Sequence, residues 1–131
     1  MVVTRPPEYY IGLMSGTSLD GIDIAIVDFS VKPPRILLSD TLPYPASMKS
    51  RIRNITFDET SSIDSLCQLN IELGHIYATV VNESIKRANL KHTQILAIGN
   101  HGQTIRHCPN ATFPYTLQTG DPNTLAIETG I

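Results

Sequence analysis

The stretch that decides the fold is residues 11–28, Ile-Gly-Leu-Met-Ser-Gly-Thr-Ser-Leu-Asp-Gly-Ile-Asp-Ile-Ala-Ile-Val-Asp. A short apolar run is followed by a segment rich in glycine, serine, threonine and aspartate, and a second, alternating apolar run comes next. Two such runs joined by turn-forming residues are typical of a β-hairpin. We therefore expect strands over residues 9–14 and 22–29, with a loop between them.

The loop of this hairpin carries more ligand-binding groups than a simple turn requires. Gly16 and Gly21 can adopt positive φ and let a ligand approach the backbone, and consecutive N–H groups in such a turn can bind an anion. Hydroxyl groups add donors, and Asp20 and Asp23 offer oxygen ligands suited to Mg²⁺. The composition favours a phosphate bound together with its metal. The candidate phosphate-binding residues are Gly16, Thr17, Ser18, Leu19, Asp20, Gly21, Ile22 and Asp23.

An ordinary turn is the alternative, because the same residue types form most hairpin tips. The loop is not a P-loop, which places Gly-Lys-Ser/Thr at the start of a helix. Residues 11–28 contain no lysine and lead into a strand. Hairpin amides and hydroxyls, and not a helix N-terminus, would therefore hold any phosphate.

The following region predicts a third strand and two helices. A strand is expected over residues 35–42, and the short connections make the first three strands an antiparallel meander. A short helix is expected over residues 47–54. A long helix over residues 62–88 is indicated by apolar residues at three- and four-residue spacing and by a capping box formed by Ser61 and Asp64.

The last third of the chain predicts a return to the sheet. Residues 94–99, Gln-Ile-Leu-Ala-Ile-Gly, predict a buried strand parallel to the first strand, since a helical crossover joins the two. A short strand over residues 115–118 and a helix over residues 122–128 follow. The expected fold class is α/β, with a mixed sheet and flanking helices.

A second polar segment, Gly99-Asn100-His101-Gly102-Gln103-Thr104, follows the predicted parallel strand. Ligands in α/β folds bind at the carboxyl ends of such strands. Hydrogen bonds to the hydroxyls of a sugar could be formed by the side chains of His101, Gln103, Thr104 and Arg106. A histidine that only satisfies a loop carbonyl is the alternative. Further on, Gly120-Asp121-Pro122-Asn123 is either a turn that starts a helix, with proline at its first position, or a third part of the site.

Composition excludes several classes of protein. The chain has 131 residues and a formal net charge of −2, and its lysines and arginines are scattered, so no nucleic-acid partner is expected. No apolar run approaches the roughly 20 residues that span a bilayer, so no membrane partner is expected. The two cysteines, Cys67 and Cys108, suit a reducing cytoplasm better than a disulfide framework.

Three segments of the chain resemble the anhydro-N-acetylmuramic acid kinases. Met-Ser-Gly-Thr-Ser-Leu-Asp-Gly-Ile-Asp, residues 14–23, is similar to the N-terminal signature of that family. Residues 99–104 resemble its Gly-Ser-His-Gly-Gln-Thr segment, and Leu-Gln-Thr-Gly-Asp-Pro, residues 117–122, resembles its Leu-Gln-x-Gly-Asp-Pro segment. The resemblance covers essentially the whole chain, but only about the first third of a typical member.

The resemblance implies a ribonuclease-H-like lobe of the actin and hexokinase type. In that superfamily two lobes flank a cleft, and hairpins from both bind the phosphates of a nucleotide. ATP and Mg²⁺ are the implied cofactors. Many relatives end the first strand with an aspartate, but this chain has Met14 there. Asp20 and Asp23 are therefore the candidate metal ligands. The candidate sugar-binding residues are Ser15, His101, Gln103, Thr104 and Asp121.

The implied reaction opens the ring of 1,6-anhydro-N-acetylmuramic acid with water and phosphorylates O6 from ATP, a step of peptidoglycan recycling. The family's catalytic base is an aspartate in an Asp-Thr-Gly-Pro-type segment, which this sequence lacks, so no catalytic residue is assigned here. We expect residues 1–131 to be a truncated N-terminal lobe whose second lobe is absent. The isolated chain is then inactive.

Other functions remain open at this stage. A related anhydro-sugar kinase, such as the levoglucosan type, would use the same segments. A non-catalytic fragment that binds a nucleotide or a sugar is an alternative from another class. An actin-like ATPase or a sugar kinase of another family is disfavoured by the His-Gly-Gln-Thr run. Small molecules are the expected partners in each case, and a homo-oligomer is compatible with the sequence.

Overall fold

The computed structural model describes residues 6–58 and 60–131, which form one mixed sheet with helices packed on one face. The strands are β1 (Tyr9–Ser15), β2 (Ile22–Asp28), β3 (Arg35–Leu42), β4 (Ile95–Cys108) and β5 (Tyr115–Thr119). The helices are α1 (Ala46–Phe57), α2 (Ile63–Arg87) and α3 (Pro122–Thr129), and a 3₁₀ turn at His92–Gln94 precedes β4.

The sheet has the strand order β3-β2-β1-β4-β5. The β1–β2 and β2–β3 pairs are antiparallel, which confirms the predicted meander. β4 lies parallel to β1, as the crossover through α1 and α2 predicts, and β5 pairs antiparallel with β4. The mixed α/β class predicted from the sequence is therefore confirmed.

Alternation along the central strands places the core on one face of the sheet. Successive residues of β1 are buried and exposed in turn, and the exposed ones include Tyr10 and Met14. The long helix α2 covers the buried face with its apolar stripe, as its three- and four-residue spacing predicts. The largest apolar side chains that are fully buried are Ile11, Ile22, Ile24, Ile26, Met48, Ile52, Leu69, Leu73, Tyr77, Val81 and Ile85.

β4 is much longer than predicted and changes its partner part of the way along. The sequence predicts a strand that ends at Gly99, but β4 continues to Cys108. It pairs with β1 as far as Gln103, opposite Ser15, and with β5 from Gln103 onward. The second pairing keeps the strand extended after β1 has ended. His101 and Gln103 therefore lie within β4 and not beyond its end.

The helix ends also differ from the prediction. The N-cap of α2 is Ser62, whose side chain accepts a hydrogen bond from the Ser65 amide at 3.1 Å. The predicted Ser61–Asp64 capping box is therefore wrong by one residue. α1 extends to Phe57, beyond the predicted end, because the Arg106 guanidinium donates to carbonyls at its C-terminus. Within the described residues, no helix is long and apolar enough to cross a membrane.

The loop between β1 and β2 uses its glycines in a way that the sequence did not indicate. Neither Gly16 nor Gly21 adopts positive φ; Leu19 does, with φ of 58°, and its side chain is buried in the core. Gly21 is required for another reason. A Cβ at this position would lie 2.6 Å from the carbonyl oxygen of Leu42 on β3. The close approach made by Gly21 is therefore to the edge strand of the sheet.

We expect the Gly21→Ala variant to be less stable than the wild type by about 1–3 kcal/mol, because backbone atoms of β3 must move to admit the methyl group. Gly16→Ala is the matched control within the same loop. Its added Cβ would have Ser18 Oγ as its nearest neighbour, at 3.5 Å, an ordinary contact. The free energy of unfolding of this control should change by less than about 0.5 kcal/mol. Urea denaturation followed by circular dichroism measures both, and equal stabilities would contradict this account of Gly21.

Candidate functional site

The three polar segments predicted from the sequence lie side by side at one end of the sheet. The loop of residues 16–21 follows β1 directly. The register places Ser15, the last residue of β1, opposite Gln103 of the second segment. Gln103 in turn lies opposite Thr119, the residue immediately before Gly120 of the third. The sheet thus brings together segments that are almost 90 residues apart in the chain.

Within the first loop, side chains divide into an exposed and a buried set. Leu19 and Ile22 are core residues, and the Leu19 amide closes the turn by donating to the Gly16 carbonyl at 3.1 Å. The remaining side chains point outward. The exposed polar residues of the loop and of the start of β2 are Thr17, Ser18, Asp20 and Asp23. The loop therefore presents hydroxyls and carboxylates to solvent around a fixed apolar anchor.

The two candidate metal ligands differ in their surroundings. Asp20 is exposed at the tip of the hairpin, whereas the Asp23 carboxylate accepts a hydrogen bond from the Thr41 hydroxyl of β3 at 2.5 Å. Within the described residues, no three His, Cys, Asp or Glu side chains are grouped so that they could hold a metal ion. One or two carboxylates completed by phosphate oxygens and water is the coordination that Mg²⁺ commonly adopts. The donor set fits that kind of site and not an all-protein cage.

Ser15 and Gln103, two of the candidate sugar ligands, face the interior. Their relative exposures are 2% and 1%. The Ser15 hydroxyl donates to Gln103 Oε1 at 2.5 Å, and the Tyr44 hydroxyl donates to Ser15 Oγ at 2.7 Å. These residues form the floor of the site. Sequence reasoning did not single out Tyr44, since a lone tyrosine between two prolines carries no recognisable pattern.

The second segment forms a β-bulge. The register moves from Leu13 opposite Asn100 to Ser15 opposite Gln103, so β4 carries one extra residue there. Gly102 has φ of 72°, and a side chain on it would overlap the Thr119 carbonyl oxygen. Bulges of this kind redirect side chains and are frequent beside active sites.

Asn100 and His101 show what the bulge achieves. The Asn100 side chain accepts a hydrogen bond from the Gly102 amide at 3.0 Å and donates to the Gly120 carbonyl at 3.3 Å. It therefore ties the second segment to the third. The neighbouring His101 is exposed, and its Nδ1 lies 3.2 Å from the Gly102 carbonyl oxygen.

The third segment is a turn that starts a helix, which is one of the two interpretations that the sequence leaves open. Asp121 is the N-cap of α3, and its Oδ2 accepts hydrogen bonds from the amide and the hydroxyl of Thr124, both at 2.7 Å. These bonds lower the pKa of Asp121 below its ordinary value. Asn70 of α2 fixes the turn with two hydrogen bonds. Its side-chain Oδ1 accepts from the Gly120 amide at 2.8 Å, and its backbone carbonyl oxygen accepts from the Asp121 amide at 2.9 Å. Nothing in the local sequence around Asn70 indicates this contact.

The candidate residues line two separate depressions. A cavity of about 170 Å³ lies between the first loop, β4 and α1, and its lining includes Thr17, Gln103 and Thr104. A shallow groove of about 570 Å³ lies on the other face of the sheet, and its lining includes Asp23 and His101. Arg106 lies apart from both, because its guanidinium donates to the carbonyls of Ile55, Thr56 and Asp58 at the end of α1.

Asp121→Ala should lower the midpoint of thermal unfolding by roughly 3–5 °C at pH 7, because the first turn of α3 loses its cap. Asp121→Asn, which keeps an acceptor oxygen, should lose less. Because the pKa of Asp121 is lowered in the folded state, the carboxylate stabilises the fold fully above its ordinary pKa of 3.8, and this contribution is lost as the pH falls through the lowered value. The difference in melting temperature between the wild type and Asp121→Asn should therefore become smaller below about pH 4. A pH-independent difference in melting temperature would argue against this role.

Comparisons with known proteins match nearly the whole of the chain. The family model described as anhydro-N-acetylmuramic acid kinase matches residues 8–131. The anhydro-N-acetylmuramic acid kinase of Shewanella frigidimarina is 45% identical over 125 residues, which are 95% of this chain and 34% of that protein. Its counterpart from Haemophilus influenzae is 42% identical over 130 residues, which are 99% of this chain and 34% of that protein. The chain spans about a third of the length of these curated relatives. It belongs to the anhydro-N-acetylmuramic acid kinase family.

Proposed function

We propose that this chain is the phosphate-binding lobe of an ATP-dependent kinase of 1,6-anhydro-N-acetylmuramic acid, which couples hydrolysis of the anhydro ring to phosphorylation of O6. The observation that carries the proposal is the adjacency of the three family segments at one end of the sheet, where the pairings of Ser15 with Gln103 and of Gln103 with Thr119 bring them together. Segments that are far apart in the sequence meet there. Their exposed hydroxyl, carboxylate and imidazole groups are of the kinds that can bind phosphate, a metal ion and a sugar.

The first loop would bind the phosphates of ATP. Phosphoryl transfer spreads negative charge over the phosphate oxygens, so catalysis depends on donors and a cation placed beside them. The exposed hydroxyls of Thr17 and Ser18 supply donors, and the buried Leu19 anchor holds the loop in one conformation. Asp20 and Asp23 would hold Mg²⁺, which when bound neutralises charge on the phosphates.

The sugar would lie against the second and third segments. His101 is exposed in the groove on one face of the sheet. Thr104, which lines the separate cavity, and Asp121 are partly exposed, so each of the three side chains has a polar group that a sugar hydroxyl beside it could reach. Ser15 and Gln103 would act from beneath, through the position of the loop and of the bulge, because both are buried. The candidate sugar-binding residues would therefore have two roles: the exposed ones would contact the sugar, and the buried ones would position the loop and the bulge.

We propose further that the chain has the ribonuclease-H-like fold. The sheet order β3-β2-β1-β4-β5, with an antiparallel meander and a parallel β4, supports a ribonuclease-H-like lobe. We infer that residues 1–131 correspond to the N-terminal lobe, and that the adenosine site and the aspartate base belong to a second lobe. Because this sequence has no Asp-Thr-Gly-Pro-type segment, turnover by the 131-residue chain is not expected. Free Cys67 and Cys108 support a reducing, cytoplasmic location.

Nucleotide binding tests the first part of the proposal. Titration of the ¹⁵N-labelled chain with ATP and Mg²⁺ should shift the amide signals of residues 16–23. Asp20→Asn should weaken this binding by about tenfold, because a charged ligand of the metal is lost. Asp64→Asn, which changes an exposed carboxylate at the start of α2, is the matched control and should bind as the wild type does. Shifts that avoid residues 16–23 would contradict the assignment of the loop.

A chimera tests the reaction. This chain would replace the matching third of the Shewanella frigidimarina kinase, and the product formed from 1,6-anhydro-N-acetylmuramic acid and ATP would be identified by mass spectrometry. We expect the product to be N-acetylmuramic acid 6-phosphate, in which water has opened the anhydro ring. A parallel assay with levoglucosan tests the alternative substrate. The unaltered Shewanella protein is the positive control. A folded chimera that forms no product beside an active parent would contradict the proposal.

A further inference from the structure

Beneath the three segments lies a row of buried hydroxyl and amide groups that the proposed reaction does not use directly. Tyr77 of α2, Tyr44 of the β3–α1 connection, Ser15 and Gln103 form this row, and none of them exceeds 4% relative exposure. We infer that Tyr44 and Tyr77 are positioning residues, which fix the first loop and the bulge of β4 relative to each other. This inference rests on the proposed function in one respect only, which is the reason why the loop and the bulge need to be fixed.

The hydrogen bonds of this row run in one direction. The Tyr44 hydroxyl donates to Ser15 Oγ at 2.7 Å, and the Ser15 hydroxyl donates to Gln103 Oε1 at 2.5 Å. The two tyrosine oxygens lie 3.2 Å apart. Since a hydroxyl has a single proton, and that of Tyr44 is directed at Ser15, Tyr77 must be the donor to Tyr44.

The Thr104 carbonyl fixes this direction, because it can only accept and therefore faces Gln103 Nε2, at 3.3 Å. Gln103 Oε1 is then turned toward Ser15 and receives the Ser15 proton. Chains of hydrogen bonds in a buried setting strengthen one another. This row of hydrogen bonds therefore links α2, through the last residue of β1, to β4, the strand that holds His101.

Tyr77 also contacts the third segment. Its ring lies directly against Gly120, where any side chain would overlap the ring carbon Cε2. Gly120 has φ of 125°, a conformation that L-residues with side chains rarely adopt. A single side chain of α2 therefore touches the third segment with its ring and reaches toward the first with its hydroxyl.

Packing alone does not account for two tyrosines at these positions. Phenylalanine would fill the same volume, and replacing both partners of a buried hydrogen bond by apolar groups is often nearly neutral for stability. Burial raises the pKa of Tyr44 and of Tyr77, so both hydroxyls stay protonated at neutral pH and remain donors. What the hydroxyls add is a defined direction, which passes through Ser15, the last residue before the loop, and continues to Gln103.

Amide hydrogen exchange of the 131-residue chain tests this inference. In Tyr44→Phe the amides of Leu19 and Gly102, each of which donates a hydrogen bond in the fold, should exchange about tenfold faster than in the wild type, because local opening of the loop becomes easier. Tyr77→Phe should produce a smaller change in the same direction. Tyr9→Phe is the matched control, because it removes a tyrosine hydroxyl from the opposite end of β1; it should leave these amides unchanged.

The core amide of Ile24 separates positioning from general stability. If exchange at Ile24 rises as much as in the loop, the tyrosines contribute only to stability and the inference is overturned. Unchanged loop exchange in both Tyr44→Phe and Tyr77→Phe overturns it as well. If Tyr44→Phe does not fold, Tyr77→Phe decides. A wild-type chain that fails to bind Mg²⁺ and ATP would count against the proposed function, while the exchange experiment would still decide the role of the tyrosines.

Discussion

The hydrogen bond between Ser15 and Gln103 is the contact on which the arrangement of the site depends. It joins the last residue of β1 to the residue at which β4 leaves β1 and begins to pair with β5. Both side chains are buried, so an unmatched partner would carry the cost of an unsatisfied polar group. The bond therefore requires the bulge of β4 and the start of the first loop to form together.

Around this contact the molecule separates groups that hold the site from groups that face solvent. Asn70 and the two tyrosines lie beneath the segments and Asn100 lies within the second, and they bond to the segments' backbones or to one another. The hydroxyls and carboxylates of the first loop, together with His101, are exposed to solvent. The proposed phosphate-binding role would need such a division, because donors that stabilise a transferred phosphoryl group act best when they are held in place beforehand.

Much of this fold follows from local pattern, and the rest depends on contacts between distant residues. The meander, the parallel strand and the helices were predictable from apolar periodicity, and the three segments from their composition and resemblance. The length of β4 was not, since Gly99 and Gly102 suggest a loop unless β5 is known to lie alongside. Positive φ at Leu19 was equally hidden, because the buried position of its side chain fixes it. Contacts of Asn70 arise only when α2 crosses beneath the third segment.

A double-mutant cycle across the Ser15–Gln103 contact tests this account most directly. Ser15→Ala, Gln103→Met and the double variant would be compared with the wild type by urea denaturation, which gives the free energy of unfolding of each. Because the two side chains are buried and share one hydrogen bond, a coupling free energy of about 1–2 kcal/mol is expected. A coupling within about 0.3 kcal/mol of zero would show that the two strands do not depend on this contact. It would also contradict the view that the three segments form a single unit.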